Sequence, residues 1–267
     1  MGPIGRRLPI AAALAAAALG LLPAAAGAAF PGRNGPIAFR SDAASARGLR
    51  NPALWTVGPS GAGARRVTKG TTPAGYLEID YSPVIFPDGR RLAYVRQLST
   101  RNFEVENQIF VKSLSAPANA AGTPVLPAAV DYKILSLAVS PDGRGLVVAM
   151  QPPPLAKPQV FSLSLDGGET TQLTFGAGSA SGPELSPDGR LVVFSERSHG
   201  RGGLFVMNAD GSEPRQLTRR PGDGAPSFSP SGDRIVFNRH VDRRPQIFSI
   251  HPDGSVLAQL THGGFAE

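Results

Sequence analysis

Apolar residues in this chain fall into short blocks divided by turn-forming clusters, and the blocks return in a fixed order. One block follows a proline-glycine turn: Arg91 to Val95, Leu146 to Met150, Leu191 to Ser195 and Arg234 to Asn238. The next reads apolar-aromatic-x or its close variants: Ile109-Phe110-Val111, Val160-Phe161-Ser162-Leu163, Leu204-Phe205-Val206-Met207 and Ile247-Phe248-Ser249-Ile250. Blocks this short, rich in Val, Ile and Phe, suit a pleated, half-buried surface and predict β-strands.

The turns between the blocks repeat as well. Phe86-Pro87-Asp88-Gly89, Ser140-Pro141-Asp142-Gly143, Ser186-Pro187-Asp188-Gly189 and Ser229-Pro230-Ser231-Gly232 occupy one position of the repeat. Pro presets φ, Asp bonds nearby amides and Gly takes positive φ, so each is strong turn chemistry. Asp166-Gly167, Asp210-Gly211 and Asp253-Gly254 mark a later hairpin, and Gln172-Leu173-Thr174, Gln216-Leu217-Thr218 and Gln259-Leu260-Thr261 close the unit. The period holds across independent landmarks: 46 residues from Pro141 to Pro187, 43 from Pro187 to Pro230 and 43 from Leu217 to Leu260. Pro87 lies 54 residues before Pro141, so that unit carries an insertion. A weaker copy opens with Ile37-Ala38-Phe39, Leu54-Trp55-Thr56-Val57 and Arg66-Val67-Thr68, matching the second, third and fourth strands.

Four short antiparallel strands per unit of about 40–45 residues is the signature of a propeller blade. The prediction is therefore an all-β chain, a β-propeller of four-stranded antiparallel blades. One partial and four full repeat units span about 36–68, 77–126, 134–175, 181–219 and 224–262. The next turn-bearing strand is due at Gly264 to Glu267, so a sequence lacking at least one strand is expected over an open or five-bladed ring.

Residues 1–28 read differently. Arg6 and Arg7 precede an apolar run from Leu8 to Leu22, and Ala26-Gly27-Ala28 supplies small residues for cleavage. That order predicts a secretory signal peptide, with the propeller occupying 29–267. The run is shorter than the roughly 20 apolar residues of a spanning helix, so no stable membrane insertion is expected after its removal. The chain has no Cys, which excludes disulfides, thiol catalysis, thiolate metal sites and lipidation at cysteine. A released periplasmic or secreted protein follows, with the Sec and twin-arginine routes both open. The formal charge of +7 includes Arg6 and Arg7, and the remaining basic residues are scattered along the chain. Nucleic acid is not an expected partner; an envelope or extracellular protein, or an anionic polymer, is.

These repeats resemble the TolB-like family of WD-type propeller proteins, in which a Ser-Pro-Asp-Gly turn, an apolar-Phe strand, Asp-Gly and Leu-Thr recur in each blade. The resemblance runs from about Pro36 to Thr261 and is strongest from Ser140 onward. It implies a bacterial exported propeller that binds partners in the envelope. The Trp-Asp dipeptide of eukaryotic WD repeats is absent, and a propeller without the family's amino-terminal helical domain is expected, since the repeats follow the signal-like stretch directly.

In an antiparallel blade the first and third hairpins share one face, here the face of the repeated turns. The segments that differ between units then share the other: 97–107, 151–158, 196–203 and 239–244 within units, and 69–76, 176–182 and 219–224 between them. Loops on a rigid scaffold carry function. Arg197, His199, Arg201, Arg219, Arg220, Arg239, His240, Asp242, Arg243 and Arg244 fall on this face as a candidate binding patch for an anionic ligand.

Catalytic signatures are few. There is no Gly-x-Ser-x-Gly elbow, glycine-rich phosphate loop or His-Glu-x-x-His. Asp88, Asp142 and Asp188 sit at one turn position with Ser231 as their fourth equivalent, which reads as structural. His199, His240, His251 and His262 occupy different repeat positions and make a poor metal set, and Glu184 and Glu196 lack a matched acid partner. Trp55 and the third-strand Phe residues read as blade packing. The expectation is a binding scaffold without a cofactor and not an enzyme; the alternative is the propeller portion of a serine peptidase, or a hydrolase acting in the channel.

Overall fold

In the computed structural model, residues 35–41, 53–69, 77–99, 105–126 and 133–263 are described. The predicted signal peptide and Gly264 to Glu267 lie outside them. Blade 1 has three strands, β1 (Ile37–Ser41), β2 (Ala53–Val57) and β3 (Arg65–Arg66). Blade 2 runs through β4 (Leu77–Ile85), β5 (Arg91–Ser99), β6 (Val105–Ser113) and β7 (Thr123–Pro124). Blade 3 contains β8 (Lys133–Val139), β9 (Gly145–Gln151), β10 (Gln159–Ser164) and β11 (Thr170–Gln172). Blade 4 contains β12 (Ser179–Leu185), β13 (Leu191–Ser198), β14 (Arg201–Asn208) and β15 (Arg215–Gln216). Blade 5 contains β16 (Gly224–Phe228), β17 (Ile235–Val241), β18 (Arg244–Ile250) and β19 (Ala258–Gln259). Each sheet is an antiparallel meander in sequence order, as the repeat predicts.

The first strands β4, β8, β12 and β16 pack on one another from blade to blade and line the axis. Strands alternate their side chains between two faces, so each blade offers one apolar face to each neighbour. Burial follows that rule, with a separate apolar cluster at each seam. Leu54 and Val67 meet Leu92 and Tyr94 between blades 1 and 2, and Phe86 and Ile109 meet Leu146 and Met150 between blades 2 and 3. Val147 and Val160 meet Val192 and Phe194, and Val193 and Leu204 meet Phe237 and Phe248, at the next two seams. Among the described elements, blades 1 and 5 do not touch, and their outer flanks expose Ile37, Phe39, Ile247 and Leu260.

Two features of the strands go beyond the sequence pattern. Each first strand carries a bulge, between Tyr81 and Val84, Ile134 and Ser136, Ser181 and Glu184, and Gly224 and Ser227. In three of them a residue with positive φ precedes proline: Ser82, Gly182 and Ala225. The bulge bends the strand beside the axis. In addition, segments 196–203 and 239–244 are mostly strand. Ser198 pairs with Arg201 and Val241 with Arg244. That leaves two-residue tips, His199-Gly200 and Asp242-Arg243, with positive φ at all four residues. Such mirror-image turns match the twist of the flanking strands. These Arg-rich strand ends are polar on both faces, which hides their alternation in the sequence.

Candidate functional site

The repeated-turn face is built from groups that are already occupied. Asp142 Oδ1 accepts from the Ser140 hydroxyl at 2.5 Å and the Arg144 amide at 3.0 Å, and Ser140 Oγ accepts from the Gly145 amide. Asp188 does the same with Ser186 and Arg190. The serine hydroxyl, then the arginine amide, hold both carboxyls below the usual carboxylate range. In blade 5, where Ser231 replaces the aspartate, Asp233 takes over and accepts from Ser229 and Ser231. The turns also make the seam. A Cβ on Gly189 would touch Pro141, and one on Gly232 would touch Pro187, so each turn's proline packs on the next turn's glycine. The aspartates are structural, as their position suggests.

The closing Leu-Thr has an equally specific role. The hydroxyls of Thr68, Thr174, Thr218 and Thr261 accept from the amides of Leu54, Val160, Leu204 and Ile247. They pin the outer strand across the start of the third strand, which is 14 residues earlier in each case. Blade 2 has no such threonine, and Gln108 Oε1 serves instead, accepting from Ile109 and Leu126.

On the variable-segment face the polar groups are used differently. A cleft of about 490 Å3 opens there, beside the bulged first strands of blades 3 to 5. Its lining includes Ser179, Glu196, Arg197, Pro221, Asn238 and His240. Arg197 donates from Nε to the Pro221 carbonyl at 3.1 Å, which fixes its base at the rim. His199, Arg201, Arg219, Arg220, His240, Asp242, Arg243 and Arg244 are all exposed on this end of blades 4 and 5. Of the ten patch residues, Arg197 and His240 line the cleft, and one, Arg239, is not exposed. Arg239 is only 7% exposed and donates from Nε and a terminal nitrogen to both carboxylate oxygens of Asp223, each at 2.7 Å. Its guanidinium lies 5.3 and 4.7 Å from the ring centroids of Phe237 and Phe248. It supports the face from beneath and offers no free charge to a ligand.

The same clasp occurs in blade 2. Arg96 pairs with both oxygens of Asp80 at 2.8 and 3.0 Å and lies over the Tyr94 and Phe110 rings. Glu78 adds a contact at 2.9 Å. The ring pairs beneath are stacked, Tyr94–Phe110 at 5.7 Å and Phe237–Phe248 at 5.8 Å. A guanidinium is suited to this place because it stacks on a ring face and forks onto a carboxylate at once. Blade 4 has the stacked pair, Phe194–Phe205 at 5.6 Å, but not the clasp. Glu196 stands in the arginine position and Ala180 opposite it in the aspartate position. Blade 3 fills the place with Met150 and Ile134.

Two acids the sequence left without a role are therefore placed. Glu196 lies along the connection Gly176 to Gly178, where glycines leave room for its carboxylate. Glu184 bridges blades 4 and 5, accepting from the Ser227 hydroxyl and the Phe228 amide at 3.1 Å. Burial pushes its carboxyl up to about 7, against those two hydrogen bonds. Asp223 and Glu196 could have been found by aligning the units position by position around the aromatic strand. Among the described residues no group of three or more His, Asp or Glu could hold a metal ion, and no helix is long and apolar enough to cross a membrane.

Known proteins align with this architecture. Residues 138–266 match the family described as TolB beta propeller domain. A TolB homolog of Chlorobium luteolum is 40% identical over 50 residues, 19% of this chain and 12% of the homolog. Dipeptidyl-peptidase 5 of Porphyromonas endodontalis is 31% identical over 94 residues, 34% of this chain and 14% of the peptidase. The matched stretches span a fifth or less of the curated relatives. A solved structure of a candidate TolB from Agrobacterium tumefaciens superposes with a TM-score of 0.58 over 84% of this chain and 80% of the other, at 21% identity. With its Ser-Pro-Asp-Gly turns, Asp-Gly hairpins and closing Leu-Thr in consecutive blades, the chain is similar to the TolB-like β-propeller proteins, and residues 138–266 carry the match to that family.

Proposed function

We propose that the chain is an exported β-propeller scaffold that binds a protein or another ligand in the cell envelope or outside the cell, through its variable-segment face. The observation that carries this reading is the cleft of about 490 Å3, where Glu196, Arg197, Asn238 and His240 come together beside the axis. The opposite face spends its repeated acids on turns and seams. Clefts with a few convergent polar groups on a rigid frame are the default binding sites of folded domains. The cleft carries both signs of charge, and Arg239 is neutralised by Asp223. That mixture favours a protein segment over a uniformly anionic polymer. Export rests on the signal-like order of residues 1–28.

The test is capture of partners from envelope extract by the full mature chain. Arg197→Glu, Arg243→Glu and Arg244→Glu together are expected to reduce capture at least tenfold with an unchanged melting temperature. Undiminished capture would overturn the reading. The resemblance to a dipeptidyl-peptidase over 94 residues supports a second reading, the propeller part of a peptidase. Fold alone does not choose between them, since propellers host both roles.

A further inference from the structure

We propose that Glu196 is the anchor of a recognition site for a guanidinium supplied by the ligand, that is, for an arginine side chain of a bound protein segment. The inference comes from comparing equivalent positions in three blades. Blades 2 and 5 solve one local problem in the same way. Each has two aromatic rings stacked across its second and third strands, a guanidinium lying against the rings and a carboxylate clamping that guanidinium. The arginine is two residues beyond the ring-bearing residue, Arg96 after Tyr94 and Arg239 after Phe237. The aspartate opposite it lies at the start of the blade's first strand, Asp80 inside β4 and Asp223 immediately before β16.

Blade 4 keeps the rings but has a carboxylate, Glu196, in the arginine position and no cation against it among the described residues. Glu196 stands two residues beyond Phe194, and its strand neighbour Ala180 cannot pair with a charge. Among the described residues Glu196 makes no side-chain hydrogen bond or ion pair. It is half-buried, lines the cleft, and Phe205 beside it is half-buried as well. The connection over it is kept bare: a Cβ on Gly178 would collide with the carboxylate, and one on Gly176 would stand 3.2 Å from both oxygens. Arg197 does not fill the place, because neighbouring strand residues point to opposite faces and its Nε is engaged with Pro221.

A carboxylate held half out of water without a partner favours a charged donor, and its two oxygens favour a planar, forked one. An ammonium can satisfy the first requirement but not the second. The chain uses arginine in both closed clasps, so the ligand group expected in the open one is a guanidinium. This specifies the partner chemistry of the binding face and rests on that reading, yet it is testable without any partner.

The full mature chain is titrated with L-arginine amide, and separately with L-lysine amide, by calorimetry. Wild type is expected to saturate with arginine amide and to bind lysine amide several-fold more weakly. Glu196→Gln is expected to lose at least tenfold in affinity for arginine amide with little change in melting temperature. The pair Ala180→Asp with Glu196→Arg supplies the clasp internally, and is expected to abolish binding while raising the melting temperature. Equal affinity of wild type and Glu196→Gln, absence of saturation by wild type, or retained binding by the double variant would each overturn the site. Partner capture that survives Glu196→Gln but not the three arginine reversals would overturn this site and leave the binding face standing.

Discussion

The two ends of each blade are built from similar residues to opposite ends. At the repeated-turn end Asp142 and Asp188 are exposed, yet each is engaged by a serine hydroxyl and a backbone amide of its own turn. At the variable end Glu196, Asn238 and His240 face a cleft and make no side-chain bonds to described residues. Charge alone does not distinguish the ends, since Arg90, Arg144, Arg190 and Arg234 decorate the turn end. What differs is whether the polar groups are already committed. Repetition marks commitment to the frame, and the binding we propose falls where the units depart from the repeat.

The strongest way to break this comparison is at the clasp of blade 5, which belongs to the frame although it lies under the variable end. Asp223→Ala would strand the guanidinium of Arg239, whose side chain is 9% exposed while that of Asp223 is fully buried. Removing one member of such a pair costs about 3–5 kcal/mol. A correspondingly large fall in denaturant midpoint is expected; a loss under 1 kcal/mol would mean Arg239 behaves as a surface charge.

A smaller effect sharpens the seam between the two ends. The Glu184 carboxyl, raised to about 7 from 4.5, favours the folded state in its protonated form. Its contribution is therefore fully present below pH 4.5 and lost as pH rises through 7, and is about 3 kcal/mol at most. The turn aspartates act in the opposite sense: their lowered values stabilise the fold above the ordinary carboxylate range and are lost as pH falls through the folded value. Melting temperature is expected to be higher at pH 5 than at pH 8, and Glu184→Gln is expected to flatten that slope. An unchanged slope in the variant would remove Glu184 from the seam.

Much of the frame was legible in the residues, because Pro-Asp-Gly, Asp-Gly and Leu-Thr encode local turns and bonds that need no distant partner. The clasp was not. Arg239 looks like one more surface arginine until strand register sets Asp223 opposite it, 16 residues earlier and across a bulge. The bulges were hidden for a related reason: Ser82, Gly182 and Ala225 carry little in common except the proline that follows. His199-Gly200 and Asp242-Arg243 are not marked as tight tips by the sequence pattern, because the polar strand ends that flank them lack alternation. Glu196 was visible as an acid without a partner, but its meaning depends on the arginines that hold its place in blades 2 and 5.

The most direct measurement is amide hydrogen exchange of the chain from residue 29 onward, alone and with a captured partner. Protection at residues 176–180, 196–203, 219–225 and 239–244 is the predicted result. Protection confined to the turns at 87–90, 141–144, 187–190 and 230–233, with the cleft segments unchanged, would contradict the assignment of binding to the variable end.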